Sequence, residues 1–433
     1  MVEHIKNILE NTPCDGYEIT DTKTKGWEFY FIGHRLDQNR AKDVEHIQVK
    51  VYKKSPDGAY LGSASGEIAP TAGKEEAAAL IEGLLRQAAY VKNPAYALNP
   101  RAVLENGSGL SPESHDTAKP LPDICADYLK TMKSAQETEN AYINSYEIFV
   151  KEVTKRYLNS SGTDETFTYP ESMAEVVVNA RKAGEEIELY RMYTSGTCDA
   201  EGLRKEINET LAFGKDRLDA KPTPNLGKAD LILSTDAALQ VYDYFIYRMN
   251  AAYKVQKFSD WETGTAICPD GSGDKVTLRA VASLPNSSKN FPLDDEGAPI
   301  RDAVLIKDGV PVRYWGSRQF CQYLGIEDTS KYYNFTVDGG RSGAEELRSG
   351  DFLEVVEFSD FQVHPITGAI AGEIRLGYLH RDGGVRIVSG GSVSGSMRSL
   401  VSSMRFSGEM KQYDNIRIPA VTKLYGVNIT GME

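Results

Sequence analysis

Residues 229–252 read ADLILSTDAALQVYDYFIYRMNAA, and this stretch decides the fold of the second half of the chain. The short apolar run at 229–233 predicts a strand, Ser234-Thr235-Asp236 a turn, and the apolar residues that follow a long helix. Serine, threonine and aspartate side chains bond the local backbone and so interrupt regular structure. Beyond Ala252 the sequence changes to mostly short strands with glycine-rich turns, which predicts a β-dominated barrel or sandwich. The helix carries Tyr242, Tyr244, Phe245 and Tyr247. Tyrosine buries area while its hydroxyl keeps a partner, so this run reads as core packing and contact surface.

Upstream, Ile47, Val49 and Val51 alternate with Gln48, Lys50 and Tyr52, the period of a half-buried strand. Strands are expected at 27–33, 44–53 and 59–66, with Ser55-Pro56-Asp57-Gly58 turning between the last two. Residues 74–91 predict a helix with acids in its first turn and a stop at Asn93-Pro94. A segment rich in Gly, Ser and Pro follows, then a helix at 123–137 and strand-like runs at 141–158, 165–169, 174–181 and 186–193. A helix at 201–218 ends before Lys221-Pro222-Thr223-Pro224. The expected division is a first α/β unit at 1–98, a linker at 99–122, a second unit at 123–224 and a β-rich domain at 225–433. The class is α+β: antiparallel sheets with packed helices, followed by a barrel- or sandwich-like domain.

With 433 residues, 41% of them hydrophobic and 26% charged, the chain has the composition of an ordinary soluble globular protein. No run approaches the roughly 20 apolar residues a membrane helix needs, and the first residues, MVEHIKNILENTPCDG, lack an apolar signal core. Cys14, Cys125, Cys198, Cys268 and Cys321 are far apart and odd in number, which argues against a disulfide framework or zinc cluster and for a cytoplasmic protein. A net charge of −13 repels duplex DNA, so direct nucleic-acid binding is not expected.

The nucleotide-binding glycine loops and the Gly-x-Ser-x-Gly elbow are absent. None of His4, His34, His46, His115, His364 and His380 forms a pair one helical turn apart, as a zinc site on one helix face requires. His364 and His380 share the C-terminal half and have either a structural role or a meeting across adjacent strands. Asp294-Asp295-Glu296-Gly297 is the sharpest acidic cluster. Its carboxylates offer a divalent cation or a peptide amino end a site, but the pattern also fits a turn in which Asp accepts backbone N–H bonds and Gly takes positive φ. Ser389 to Leu400, SGGSVSGSMRSL, has no base in readable relation to its serines. Gly391 and Gly395 there suggest close backbone approach, or an edge to which an extended peptide adds as a strand.

These segments together resemble the TldD/PmbA family, described as modulators of DNA gyrase and as metallopeptidases. Residues 229–252 resemble the entry to its third domain. FPLDDEGAPIRDAVLIKDGVPVRYW (291–315) resembles its acidic turn and strand pair, and YDNIRIPAVTKLYGVNITGME (413–433) its closing strand. In TldD-type members the helix holds a metal through His-Glu-x-x-x-His. Asp243, Tyr244 and Arg248 stand in that register here, and after Cys321 there is no cysteine to complete the site. The resemblance therefore implies a PmbA (TldE)-type chain: no catalytic residue or metal of its own, zinc or a similar metal in a TldD-like partner. It also implies a heterodimer with that partner or a homodimer around a shared chamber, acting on unfolded or leader peptides. The tyrosines of the helix then fill space vacated by metal, face a peptide, or pack. Asp294, Asp295, Glu296, Gly297, Gly391 and Gly395 become candidate cleft and peptide-contact residues, and a self-associating hydrolase built on the carboxylates, or a non-proteolytic adaptor, is the alternative.

Overall fold

The structure, a computed structural model, describes residues 1–102, 104 and 119–432, so most of the expected linker at 99–122 lies outside the described residues. The N-terminal half is one antiparallel sheet. Its strands are β1 (Gly16–Ile32), β2 (Arg35–Lys54), β3 (Leu61–Ile68), β4 (Ala141–Asn159), β5 (Asp164–Lys182) and β6 (Glu185–Ser195), in the order β3-β2-β1-β4-β5-β6. β1 pairs with β4 from Glu18↔Asn159 to Ile32↔Ser145, so the strands before and after the linker share one ladder.

The expected period-two pattern holds: Ile47, Val49 and Val51 are buried, under helices α1 (Val2–Glu10) and α2 (Lys74–Ala88). Ala77, Ile81, Leu84 and Ala88 make the inward stripe of α2, spaced by three and four residues. Each fully buried aliphatic side chain contributes roughly 1.5–3 kcal/mol. Helices α3 (Leu121–Met132) and α4 (Ala200–Asp219) cover the other end of the sheet, where Leu203, Ile207 and Leu211 meet Val176, Val178 and Leu189.

β1, β2 and β5 are longer than the sequence suggests. The polar residues 37–43 pair with β1 from Asn39↔Phe29 to Asp43↔Lys25 although they lack an apolar face. The runs at 165–169 and 174–181 fuse through Pro170 into β5. Proline is tolerated there because β6 pairs with β5 only from Ser172 onward, leaving the Pro170 position without a demand for N–H on that side.

The C-terminal half begins with β7 (Lys221–Pro222), β8 (Gly227–Leu233) and helix α5 (Ala238–Arg248). α5 is shorter than the apolar run implied, because Asn250 Oδ1 accepts the Ala252 N–H at 2.9 Å and starts a separate turn at 251–255. Then come β9 (Leu278–Val281), β10 (Ala303–Lys307), β11 (Val310–Pro311), β12 (Asn334–Val337), β13 (Phe352–Val363), β14 (Ala369–Arg381), β15 (Gly384–Ser389), β16 (Ser392–Ser396), β17 (Arg405–Phe406), β18 (Met410–Tyr413), β19 (Ile416–Pro419) and β20 (Thr422–Thr430). One sheet runs β11-β10-β9-β12-β19-β18. The other runs β13-β8-β20-β16-β14-β15-β7, and because β13 also pairs with β14 it closes into the expected barrel. Closure removes most of the free edge that an open sheet presents, leaving β13 beyond Val355 and the outer β7. Val241, Tyr242, Tyr244 and Phe245 of α5 share one core with Leu231, Leu353, Leu424 and Ile429 of the barrel. Among the described residues no helix is long and apolar enough to cross a membrane.

Candidate functional site

α5 is buried on nearly every side, with Tyr247 its exposed aromatic. Asp243 is partly buried and has no hydrogen-bond or ion-pair partner among the described residues, and burial raises its pKa to about 6. Tyr244 is buried against Trp261, edge to face, with ring centroids 5.7 Å apart. The Arg248 side chain is fully buried. Its Nη1 donates to the Ile366 carbonyl at 2.9 Å and its Nη2 pairs with Asp260 Oδ1. The guanidinium also lies over two rings, 5.3 Å from Tyr244 and 5.0 Å from Trp261.

Asp260 is shared: its other oxygen accepts from Arg398 Nη1 at 3.0 Å. These groups line a cavity of about 280 Å³ that also reaches Glu262 and Thr265. The arrangement is a clamp tying α5 to the segments around residues 260, 366 and 398. Its donor set, with one guanidinium held in the centre and a second at the rim, does not fit a divalent cation. Among the described residues, no group of three or more His, Cys, Asp or Glu side chains is placed to hold a metal ion. His364 and His380 do not meet. His364 sits in the turn that follows β13, accepting from the Ile366 N–H, and His380 stacks on Phe352 at the other end of the hairpin.

The acidic cluster forms the turn its residue types allow. Asp294 is buried; its Oδ1 accepts the N–H groups of Glu296 (2.9 Å) and Ala298 (2.8 Å), and its Oδ2 that of Lys331 (2.8 Å). Burial nevertheless raises its pKa to about 6 against these three bonds. Asp295 and Glu296 share the Lys331 ammonium at 2.9 and 3.1 Å. The Glu296 carbonyl accepts from Tyr157 and Asn99, both at 2.9 Å, which fastens the turn to β4. Gly297 has φ +77°, and a Cβ there would lie 2.2 Å from the Tyr157 ring.

Gly391 has φ +80° and a would-be Cβ 2.3 Å from the Thr430 carbonyl, so close backbone approach explains it. Gly395 lies in β16 opposite Ile370. β16 has β14 on one side and β20 on the other over Ser392–Ser394, so the free edge expected for strand addition is not there. Among the described residues, no hydrogen bond or ion pair joins the Asp294 turn, the Gly391–Gly395 segment and the α5 clamp into one site.

The family model described as "PmbA/TldA metallopeptidase C-terminal domain" matches residues 226–431, the segment that holds α5 and the barrel. Residues 226–431 thus match the C-terminal domain of the PmbA/TldD family. A search of curated proteins gave no match. Among solved structures, TldE from Thermococcus kodakarensis is 18% identical with a TM-score of 0.79, covering 100% of both chains. A candidate DNA gyrase modulator from Thermotoga maritima is 16% identical with a TM-score of 0.77, over 99% of this chain and 100% of that one. Another, from Bacteroides thetaiotaomicron, is 16% identical with a TM-score of 0.79, over 100% of this chain and 98% of that one. The fold of these structures therefore extends over the whole chain.

Within this family frame, the sequence placed Arg248 but did not identify its partners. Asp260, Trp261 and Arg398 reach it from separate segments, and only the Asp-Trp pair shortly after the helix offered a signal.

Proposed function

We propose that this chain is a TldE-type subunit of a TldD/PmbA metallopeptidase complex, lacking a catalytic metal of its own. The observation that carries the reading is the Arg248 clamp. In the register where the resemblance puts metal-binding histidines, α5 holds a buried guanidinium with its own carboxylate and carbonyl partners. A dication at that place would face a fixed positive charge at a few ångströms, a repulsion that protein surroundings screen poorly. The complex would contain a TldD-like partner carrying zinc or a similar metal, or a second copy of this chain, and would act in the cytoplasm on unfolded or leader peptides. Metal in the partner would polarise the scissile carbonyl; this chain would supply walls and contacts to substrate. The likeness to TldE supports the assignment, and the net charge of −13 speaks against direct DNA binding.

The test is metal content and peptidase activity on an unfolded protein, for the chain alone and mixed with a TldD-like chain. Activity only in the mixture, with metal only in the partner, is the expected result. Metal-dependent hydrolysis by this chain alone would overturn it and direct attention to Asp294, Asp295 and Glu296.

A further inference from the structure

A second cavity, of about 680 Å³, lies where the N-terminal sheet meets the barrel. Two strand edges flank it. β6 is the outer strand of its sheet, so among the described residues the backbone at 188–191 has no strand on its far side. On the other wall, β13 pairs with β8 only as far as Val355↔Leu233, and its ladder with β14 is broken by bulges between Val355 and Phe361. Val356–Ser359 therefore passes the cavity with an edge open to it. An ion pair between Arg191 and Glu357 spans the two walls. Apolar surface is available beside it: Tyr190 is 52% exposed, and Phe358 and Phe361 lie with ring centroids 4.6 Å apart.

Positive charge converges on this space. Arg217 comes from the last turn of α4, whose end is fixed by Tyr378 donating to Asp216 Oδ2 at 2.6 Å. The Arg217 guanidinium is partly buried and has no hydrogen-bond or ion-pair partner among the described residues. Burial, and then the charge of neighbouring Arg375, press its pKa downward. Arg375 donates to Ser359 Oγ at 3.0 Å and to Glu373 at 3.3 Å, the latter an exposed pair that neutralises little. The other acids do not balance Arg217: Glu357 is taken by Arg191, and Glu188 and Asp236 are exposed. Thr235 Oγ1, also on the lining, is buried without a hydrogen-bond partner among the described residues. A freely solvated arginine would turn from its like-charged neighbour; Arg217 is half withdrawn from water and remains beside it.

We infer that this cavity binds the carboxylate end of an extended peptide whose last side chain is apolar. Arg217 and Arg375 take the carboxylate, for which the planar fork is the matched donor. Tyr190 and the Phe358–Phe361 pair receive the side chain, and the free edge of β6 pairs with the peptide backbone. The site belongs to this chain with or without a metal-bearing partner, so it stands or falls separately from the subunit reading.

The experiment uses the full chain and three probes: a short unstructured peptide ending in leucine with a free carboxylate, its C-terminal amide, and acetate. Calorimetry or fluorescence anisotropy should find the acid bound at least about tenfold more tightly than the amide, the size of one charge-assisted pair. Arg217→Gln and Arg375→Gln should each bring the acid to the level of the amide and leave the amide unchanged. Equal affinity of acid and amide in the unaltered chain would overturn the inference, and that comparison needs no variant to fold. Acetate binding as tightly as the acid peptide would also overturn it, leaving a site for small free anions only.

Discussion

Arg248 and Arg217 are both drawn out of water beside a cavity and near a second arginine, yet they differ in the partners that face them. Arg248 has a carboxylate shared with Arg398, a carbonyl and two aromatic faces; Arg217 has Arg375 and, among the described residues, no such partners. A desolvated charge is tolerable when its partners come from the protein, and it is then part of the fold. When they do not, the folded chain carries a cost that a bound anion would relieve. One cavity is thus closed by its own residues and the other is left for something else. The contrast can be broken or sharpened by mutation.

The largest effect belongs to the closed cavity. Arg248→Met should cost about 3 kcal/mol of stability in urea denaturation, because the Ile366 carbonyl loses its donor and Arg398 and Asp260 lose their shared geometry. A loss below about 1 kcal/mol would mean that the clamp is ornamental and the contrast fails. Next comes the turn that fastens the barrel half to β4. Gly297→Ala should cost about 2–3 kcal/mol, since alanine resists φ +77° and its Cβ meets Tyr157. Thermal unfolding of that variant beside a Tyr157→Phe variant would show whether the ring or the backbone dominates.

A smaller effect tests the same rule on a carboxylate. Asp243 has a folded pKa of about 6 and no partner among the described residues, against about 3.9 in the unfolded chain. Between those values the folded state binds more protons at Asp243 than the unfolded, so this group's contribution to stability is greatest below about pH 4 and falls as pH rises through about 6. Asp243→Asn should remove this fall and stabilise the protein at pH 8 by about 1–2 kcal/mol. An unchanged pH profile would mean that water or a partner solvates the carboxylate. Smallest of all is Arg217→Ala, expected to lie within about 0.5 kcal/mol of the parent because it relieves the repulsion from Arg375. A large loss would place Arg217 in the same class as Arg248.

Much of the fold was legible because its signals are local. The strand, turn and helix at 229–252 and the stripe of α2 follow from periodicity, and the Ser55–Gly58 turn closes as expected with the Gly58 N–H on the Ser55 carbonyl at 2.9 Å. The Asp294 turn was also visible, since Asp and Gly at that spacing do one thing well. Illegible were features that depend on distant chain. Residues 37–43 form a strand because β1 pairs with them, with no apolar face to announce it. β1 and β4 meet across more than a hundred residues, so two apparent units share one sheet. The edge expected at Gly391–Gly395 is an inner strand, whereas the open edges that flank a cavity lie at β6 and β13, in residues with ordinary strand composition. Partners such as Asp260 for Arg248 are a matter of tertiary placement alone.

β20 lies between β8 and β16, although nearly two hundred residues separate it from β8 in sequence. During synthesis β8 and α5 emerge early with their apolar faces uncovered, and the barrel cannot close until residues 422–430 have cleared the ribosome. Nascent chains stalled before Thr422 should therefore remain protease-sensitive from β8 onward and bind chaperones.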